Sequence, residues 1–364
     1  MSTNTEQVGA ALAEVIDPIT NKKLGAPLIK DSVLRLTEND LNLTLALGYP
    51  LYNGNPQLQQ RIETALAPLG VRLSSLTFTT NIATHAVQPG RKPLVGVRNI
   101  IAVASGKGGV GKSTTSVNVA LALRAQGARV GLLDADIYGP SVPIMLGVTG
   151  KPKSLDGKTM EPLEGHGLKA NSIGFLIDED APAIWRGPMV SQALEQLLNQ
   201  TNWGELDYLI VDMPPGTGDI ALTLSQKVPL TGAVIVTTPQ DLALADARKG
   251  LRMFQKVDVP VLGIIENMSM HICSNCGHAE PIFGEHGGRN MAAEYNLPWL
   301  GALPLALDIR TQTDSGRPTV MADPQGAYAN LYQEIAHKIA AQVASLPRDM
   351  SGKMPGVVVR KSAS

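Results

Sequence analysis

From residue 99 onward, short and continuous apolar runs alternate with longer stretches that carry one apolar face. The runs have five or six residues each and read IIAVA at 100, VGLLD at 130, YLIVD at 208, AVIVTT at 233 and VLGIIE at 261. Strands that are covered on both faces show this pattern, whereas half-solvated strands alternate. Stretches of helical character, such as KSTTSVNVALALRAQG and MVSQALEQLLNQ, lie between them. The pattern therefore predicts an α/β fold whose doubly wound, mostly parallel sheet binds its ligand at the carboxyl ends of the strands.

The first 80 residues differ in pattern and are predicted to form a small α+β domain. A short helix near residues 8–15 is followed by the strands SVLRLT and LNLTLAL, the helix PQLQQRIETALAPLG and the strand VRLSSLTFTT, which gives the order αββαβ. Residues 81–98 contain two prolines and two glycines without a sustained period, so a linker is expected there. The large domain is expected to span residues 99–345, and residues 346–364 are expected to be a frayed tail.

Length and charge narrow the range of functions. The chain has 364 residues, which is enough for one large and one small domain, and 44% of them are apolar. Lysine and arginine total 31 against 32 acidic residues, so the chain has no overall positive charge for a nucleic acid, and no nucleic-acid partner is expected. The first residues lack the pattern of a secretory signal, and no run of 18 apolar residues occurs. We expect a cytoplasmic protein without a membrane partner.

Residues 106–113 read GKGGVGKS and match the pattern GxxxxGK[ST] between a buried strand and a helix. In such a loop, backbone N–H groups and the helix N-terminus face the β-phosphate of a nucleotide. Lys112 adds positive charge at the β- and γ-phosphates, and the Ser113 hydroxyl is placed to bind Mg²⁺. The sequence therefore predicts an Mg²⁺-dependent ATPase. The residues expected to contact ATP are Gly106, Lys107, Gly108, Gly109, Val110, Gly111, Lys112, Ser113 and Thr114.

Carboxylates at the ends of two other buried strands complete the predicted ATPase site. Asp212 ends YLIVD and precedes the loop PPGTGD, so we expect it to be the Walker B aspartate that holds Mg²⁺. Asp134 and Asp136 end a second strand, in LLDADIYGPS. One of them should orient or deprotonate the attacking water, and Asp136 is favoured because it lies further into the loop. For Asp134, but not for Asp136, the alternative is an acidic side chain exposed to solvent in the loop, without a role in the site.

Only two cysteines occur, Cys273 and Cys276, and they stand in CSNCG after the strand VLGIIE. Two thiolates followed by glycine are typical of a metal-binding knuckle. His271, His278 and His286 lie nearby, so a structural zinc site of two cysteines and two histidines remains an alternative to iron. A redox pair fits less well, because proline and glycine interrupt the helix that such a motif opens. Two inert buried thiols fit this polar loop least. An iron-sulfur cluster takes four thiolates, so a symmetric dimer would supply two per chain.

Several motifs carry a family resemblance. GKGGVGKSTT with LLDADIYGPS resembles the deviant Walker A ATPases, in which a second lysine in the loop reaches the phosphates of a dimer partner. Taken alone, Lys107 could be an exposed variable position; the resemblance implies that it acts in trans as a catalytic charge. LLDADIYGPSVPIMLG, WRGPM, VDMPPGTGD, TTPQDLAL and ENMSMHICSNCGH together resemble the Mrp family of iron-sulfur cluster carrier ATPases over about residues 95 to 340.

This resemblance implies a function and partners. Members hydrolyse ATP, hold a cluster that is usually [4Fe-4S], and hand it to apo-proteins, so apo iron-sulfur clients, assembly scaffolds and a homodimer are the expected partners. It also implies that Asn267, in ENMS, contacts the adenine edge, although an asparagine there could equally cap a turn. The N-terminal domain is similar to MIP18-type domains, but no cysteine precedes Cys273, so a docking role is expected for it.

Two other functions are alternatives to the carrier. A positioning ATPase of the septum or plasmid type, with a structural zinc knuckle, needs a basic patch or an amphipathic terminal helix, and the tail GVVVRKSAS offers neither. An electron-transferring reductase similar to the nitrogenase iron protein requires its two cysteines on separate loops. This chain has both cysteines on one loop, which favours the carrier.

Overall fold

The computed structural model describes residues 4–51, 54–176 and 187–350. Most of the expected tail, residues 351–364, lies outside the described residues, and so do the first two residues of the WRGPM motif. The described elements form a small three-stranded unit whose last strand ends at Thr80 and a large α/β unit whose first strand begins at Ile100. None of the described helices combines the length and the apolar character needed to cross a membrane.

The small unit is a three-stranded sheet with helices packed on it. Its elements are α1 (Thr5–Ala13), α2 (Gly25–Asp31), β1 (Val33–Thr37), β2 (Asp40–Leu47), α3 (Pro56–Leu66) and β3 (Arg72–Thr80). Asn4 caps α1 and Asn55 caps α3, because each side chain accepts a hydrogen bond from a backbone N–H of the first turn. β2 pairs antiparallel with β1 and parallel with β3. The predicted order αββαβ lacks α2, a seven-residue helix that packs against α1.

The large unit is built on an eight-stranded sheet. Its strands are β4 (Ile100–Ser105), β5 (Val130–Asp134), β6 (Leu163–Gly165), β7 (Leu168–Ser172), β8 (Tyr208–Asp212), β9 (Gly232–Thr237), β10 (Val261–Glu266) and β13 (Trp299–Ala302), while β11 (His271–Ile272) and β12 (Ala279–Glu280) form a separate hairpin. The order is β13-β10-β9-β4-β8-β5-β7-β6, and every neighbouring pair is parallel except β6 with β7. All five predicted strands are present in this sheet.

Helices cover both faces of this sheet. They are α4 (Lys112–Ala125), α5 (Val142–Leu146), α6 (Gly187–Asn199), α7 (Asp219–Lys227), α8 (Asp241–Lys256), α9 (Gly287–Glu294), α10 (Leu307–Asp314), α11 (Thr319–Ala322) and α12 (Ala327–Ala344). In β4, Ile101 and Val103 join the apolar cluster that contains α4 and α12, while Ala102 and Ala104 join the cluster that contains α6, α7 and α8. Alternate residues of one strand thus enter opposite layers, which is why the run has no polar position.

The segment 81–98, expected to be a linker, packs closely onto the large unit. Gln88 is buried, and its amide nitrogen donates to the carbonyls of Ser225 and Val228 at 2.8 and 3.2 Å. Its amide oxygen accepts from the N–H of Leu230 at 2.8 Å. One buried glutamine therefore satisfies three backbone groups at the end of α7 and in the loop that follows.

The start of the expected tail is also paired. Residues 347–349 run antiparallel to residues 84–86. The N–H of Ala86 donates to the carbonyl of Pro347, and the N–H of Asp349 donates to the carbonyl of Thr84, both at 2.9 Å. His85, in this pairing, is buried and shares a 2.8 Å hydrogen bond with Asn99. The two segments that flank the large unit in sequence are thus paired with each other in the fold.

Candidate functional site

The phosphate loop joins β4 to α4 and is shaped by glycines at fixed positions. Gly109 and Gly111 have φ of +80° and +78°, a region that side chains disfavour, and Gly111 is the N-cap of α4. A Cβ at Gly106 would lie 2.1 Å from the carbonyl carbon of Asp246 in α8, so only glycine fits there. The loop lines an open cavity of about 210 Å³ at the N-terminus of α4. Residues that line it include Lys107, Gly108, Gly109, Gly111, Lys112, Ser113, Thr114, Asp136 and Pro215.

The groups expected to bind phosphate and Mg²⁺ are within hydrogen-bonding distance of one another. Lys112 Nζ lies 2.8 Å from Asp212 Oδ1 and 3.1 Å from Ser113 Oγ. The Ser113 hydroxyl donates to Asp212 Oδ2 at 2.6 Å. Lys112 and Asp212 are both buried, 6% and 0% exposed, so neither charge could remain without the other or a ligand. A hydroxyl and a carboxylate side by side are hard oxygen donors that fit Mg²⁺.

Ser116 belongs to this cluster, although the sequence motifs do not identify it. Its hydroxyl lies 2.6 Å from Asp212 Oδ1 and 3.0 Å from the carbonyl of Lys112. Because the hydroxyl has one proton, the shorter contact with the charged oxygen is the one that it satisfies. Ser116 stands four residues after Lys112 in α4, and helical spacing therefore places both on the face that meets β8. That spacing is the signal that could have identified it.

The two carboxylates after β5 have different surroundings. Asp134 is fully buried and accepts from the N–H groups of Asp136, Ser141 and Val142 and from the Ser172 hydroxyl, at 3.1 to 3.2 Å. Burial first, and then the nearby Asp212 charge, raise the pKa of Asp134. The residue therefore holds the loop after β5 in place, which differs from the interpretation of Asp134 as a solvated acid.

Asp136 is half-buried and lines the phosphate cavity together with the glycine loop. Burial raises the pKa of Asp136, and the Lys112 charge opposes this shift. A carboxylate that faces the cavity and is partly desolvated suits a group that orients or deprotonates water. Lys107 is likewise half-buried and lines the same cavity, and its carbonyl accepts from the Ser105 hydroxyl at 2.8 Å.

Asn267 lies just beyond β10, beside the glycine loop. Its side-chain nitrogen donates to the carbonyl of Val110 at 2.9 Å, and its backbone N–H donates to the carbonyl of Thr237 at 2.7 Å. A Cβ at Gly111 would lie 2.1 Å from the same side-chain nitrogen. The structure therefore brings Asn267 to the nucleotide loop, and its described contact is with loop backbone.

The cysteine loop is a tight turn at the tip of the β11–β12 hairpin. The N–H of Cys273 bonds to the carbonyl of His278 at 2.9 Å, and the N–H of Gly277 bonds to the carbonyl of Cys273 at 2.8 Å, with φ of +73° at Gly277. Backbone N–H groups of Cys276 and Asn275 lower the pKa of the Cys273 thiol. Cys276 is exposed and Cys273 half-exposed. Both thiols are thus available at the surface, which does not fit two inert buried thiols.

The three nearby histidines do not join the cysteines. Within residues 4–51, 54–176 and 187–350, no group of three or more His, Cys, Asp or Glu side chains is arranged to hold a metal ion. His271 lies in β11 beside Leu305, and His286 begins α9 with φ of +61°. A zinc site built from two cysteines and two histidines of one chain is therefore not formed by the described side chains.

These features define a P-loop ATPase of the deviant Walker A type with a two-thiol loop at the same edge of its sheet. Residues 96–340 match the family model described as NUBPL iron-transfer P-loop NTPase of the ParA group. The chain belongs to this family. The motif-based resemblance to iron-sulfur carrier ATPases is confirmed.

Individual relatives agree with the family. An iron-sulfur cluster carrier protein of Haemophilus influenzae is 51% identical over 335 residues, which cover 91% of this chain and 90% of that protein. The mouse iron-sulfur cluster transfer protein NUBPL is 52% identical over 261 residues, 71% of this chain and 82% of the relative. The structure of a nucleotide-binding protein of Archaeoglobus fulgidus in complex with ADP is 37% identical in sequence and has a TM-score of 0.56. The match covers 64% of this chain and 91% of the Archaeoglobus chain. The predicted α/β P-loop fold is confirmed.

Proposed function

We propose that this chain is a cytoplasmic ATPase that carries an iron-sulfur cluster, [4Fe-4S], across a homodimer and delivers it to apo-proteins. The observation that carries the proposal is the pair of half-exposed Cys273 and exposed Cys276, held on a hairpin that begins four residues after Asn267, which contacts the phosphate loop. Membership in the iron-transfer NTPase family and the names of the curated relatives support the same function. The family and the relatives give less support to the alternative function, a positioning ATPase of the septum or plasmid type.

ATP binding rests on the glycine loop and Lys112. When phosphates enter the cavity, the Lys112 ammonium exchanges its contact with Asp212 for the β- and γ-phosphate oxygens. Ser113 and Asp212 would then hold Mg²⁺, which supplies charge neutralisation at the phosphates. Asp136, which lines the cavity, orients the attacking water and accepts its proton. Lys107 lines the same cavity, and we propose that it acts on the phosphates of the partner chain.

Stoichiometry supports the dimer. A four-iron cluster takes about four thiolates, and each chain has only Cys273 and Cys276. Both are near the protein surface at the carboxyl edge of the sheet, where the loops that follow the parallel strands meet. A two-fold axis at this edge would bring four thiols together and would also bring each Lys107 toward the partner's nucleotide. The partners proposed are therefore a second copy, assembly scaffolds and apo iron-sulfur clients, without nucleic acid or membrane.

Anaerobic reconstitution with iron and sulfide tests the proposal. We expect iron analysis to give about four iron atoms per dimer. The protein should also be brown and absorb at about 400 nm, as thiolate-bound iron does. Cys273→Ala and Cys276→Ala should each abolish stable cluster binding, because two-fold symmetry removes two of four ligands at once. A cluster of about four iron atoms on each monomer would contradict the shared site. Tight zinc with no uptake of iron would favour the structural knuckle instead.

A further inference from the structure

Glu266, the last residue of β10, and Asn267, the residue after it, make contacts on either side of the segment that carries the cysteine loop. Asn267 donates from its side chain to the carbonyl of Val110 in the phosphate loop at 2.9 Å. Glu266, which is 2% exposed, accepts from the N–H of Gly288 at 2.6 Å, and Gly288 lies in the first turn of α9, where the cysteine loop ends. Successive residues of a strand point to opposite faces, so one residue reaches the phosphate loop and the other reaches α9.

Asn267 approaches the phosphate loop closely at Gly111. A Cβ at Gly111 would lie 2.1 Å from the side-chain nitrogen of Asn267 and 3.8 Å from Cε of Met268. Met268 has φ of +55°, an uncommon value for a residue with a side chain, so the backbone turns sharply at this point. A movement of residues 110 and 111 on nucleotide binding must therefore displace Asn267 or break its hydrogen bond.

From this turn to the first cysteine, the chain is held by backbone pairing. The N–H of Ser269 donates to the carbonyl of Leu303 at 3.0 Å, and the N–H of Leu305 donates to the carbonyl of Met270 at 2.8 Å. The N–H of Ile272 donates to the carbonyl of Leu305 at 3.1 Å. Cys273 follows directly. A displacement at Asn267 is thus passed along a short, hydrogen-bonded segment instead of being absorbed by a loose loop.

We propose that Asn267 is a positioning residue that transmits the conformation of the phosphate loop to the Cys273–Cys276 turn, so that nucleotide binding changes the geometry of the two thiols. The use of this link, to load or release a cluster, rests on the proposed function. The link itself does not, because it concerns two loops of one chain. By thermodynamic reciprocity, a change at the thiols must alter nucleotide affinity through the same residue.

The two thiols provide a direct probe, since the chain has no other cysteines. The rate of alkylation by iodoacetamide is measured by mass spectrometry without nucleotide, and again with Mg²⁺ and a non-hydrolysable ATP analogue. Saturation is established for each variant by calorimetry. In the wild type we expect the analogue to change the rate about fivefold or more, the lower range of typical allosteric coupling. In Asn267→Asp, which keeps the shape but replaces the donor with an acceptor facing a carbonyl, the change should fall below about twofold.

Asn290→Asp is the matched control, because it makes the same exchange at an exposed position of α9, and it should respond as the wild type does. As the reciprocal test, alkylated wild-type protein should show a changed affinity for the analogue, and alkylated Asn267→Asp should not. An unchanged rate in the wild type, or a full response in Asn267→Asp, would overturn the proposal. So would complete loss of nucleotide binding in both Asn267→Asp and Asn267→Ala, since Asn267 would then be a nucleotide ligand only. A protein that shows the response but takes up no cluster would instead refute the proposed function.

Discussion

Ser116→Ala tests whether the buried Asp212 carboxylate is held ready for Mg²⁺. The Ser116 hydroxyl is 2.6 Å from Asp212 Oδ1, and Asp212 is 0% exposed, so no water replaces the lost donor. Removing a hydrogen bond to a buried charged group costs about 1.5 to 3 kcal/mol. At 1.4 kcal/mol for each factor of ten, this loss corresponds to roughly 10- to 100-fold weaker Mg²⁺ binding, the range found for groups that orient metal ligands.

The assay is ATP hydrolysis as a function of Mg²⁺ concentration. We expect the half-saturating Mg²⁺ concentration to rise by about 10- to 100-fold in Ser116→Ala, while turnover at saturating Mg²⁺ stays within a few-fold of the wild type. Ser225→Ala is the matched control, because this helical hydroxyl is equally buried but donates to the carbonyl of Ala221, at 2.7 Å, and does not line the phosphate cavity. An unchanged Mg²⁺ dependence in Ser116→Ala would refute the reasoning. Equal shifts in both variants would mean that the effect is one of helix stability.

Four further substitutions separate the roles of other polar groups. Lys112→Ala should lower phosphate release on the order of 10²-fold or more, because the charge at the β- and γ-phosphates is lost, and unchanged turnover would remove the assignment of the loop. Asp136→Asn should still bind nucleotide, as measured by calorimetry, but should lose hydrolysis. Asp134→Asn should instead lower the melting temperature. The reverse result would exchange the roles of the two residues. Gln88→Ala removes three hydrogen bonds to buried backbone, those with the Ser225 and Val228 carbonyls and with the Leu230 N–H. Urea unfolding should therefore show a loss of about 2 kcal/mol or more, and a loss below about 0.5 kcal/mol would contradict the packing of this segment.

The elements that the sequence predicts well are those whose environment is uniform. The five central strands are apolar at nearly every position because helices cover both sides, and the glycine loop requires particular residues at particular φ values. The hairpin of β6 and β7 was not predicted. Its strands are short, and its turn at His166 and Gly167 uses two positive φ values that the sequence HG only weakly indicates.

Contacts between distant polar residues could not be predicted from pattern. Gln88 bonds backbone groups 137 to 142 residues further along the chain, and a glutamine in a proline- and glycine-containing stretch carries no period that would reveal this. Glu266 is similar, since an acidic residue at the end of an apolar strand looks like a solvated group, and only the fold brings Gly288 N–H to it. Asn267 was singled out, but as a contact for adenine. Its hydrogen bond to Val110 depends on how two loops pack, which no single segment encodes.

The division of the chain into domains also rests on packing more than on composition. Buried residues of the small unit, such as Leu43 and Ile62, belong to one continuous apolar cluster with Ile339 and Val343 of α12. The backbone at Gly48 approaches α12 closely enough that a Cβ there would lie 3.4 Å from the Cβ of Ala344. The small unit therefore rests on α12, but its described residues, 4–51 and 54–80, contribute no strand to the eight-stranded sheet and do not line the phosphate cavity.

Two N-terminal truncations test where the boundary between the small unit and the large unit lies. A chain that begins at residue 81 keeps Ile82, His85 and Gln88, all buried against the large unit, and we expect it to fold and to hydrolyse ATP at close to the full-length rate. A chain that begins at residue 91 loses all three, and the pairing of residues 84–86 with 347–349 as well, so its melting temperature should be lower by several degrees. Circular dichroism melts and phosphate release measure both properties. Equal stability of the two truncations would show that residues 81–90 are a true linker, whereas an insoluble chain from residue 81 would show that α12 requires the small unit as a cover.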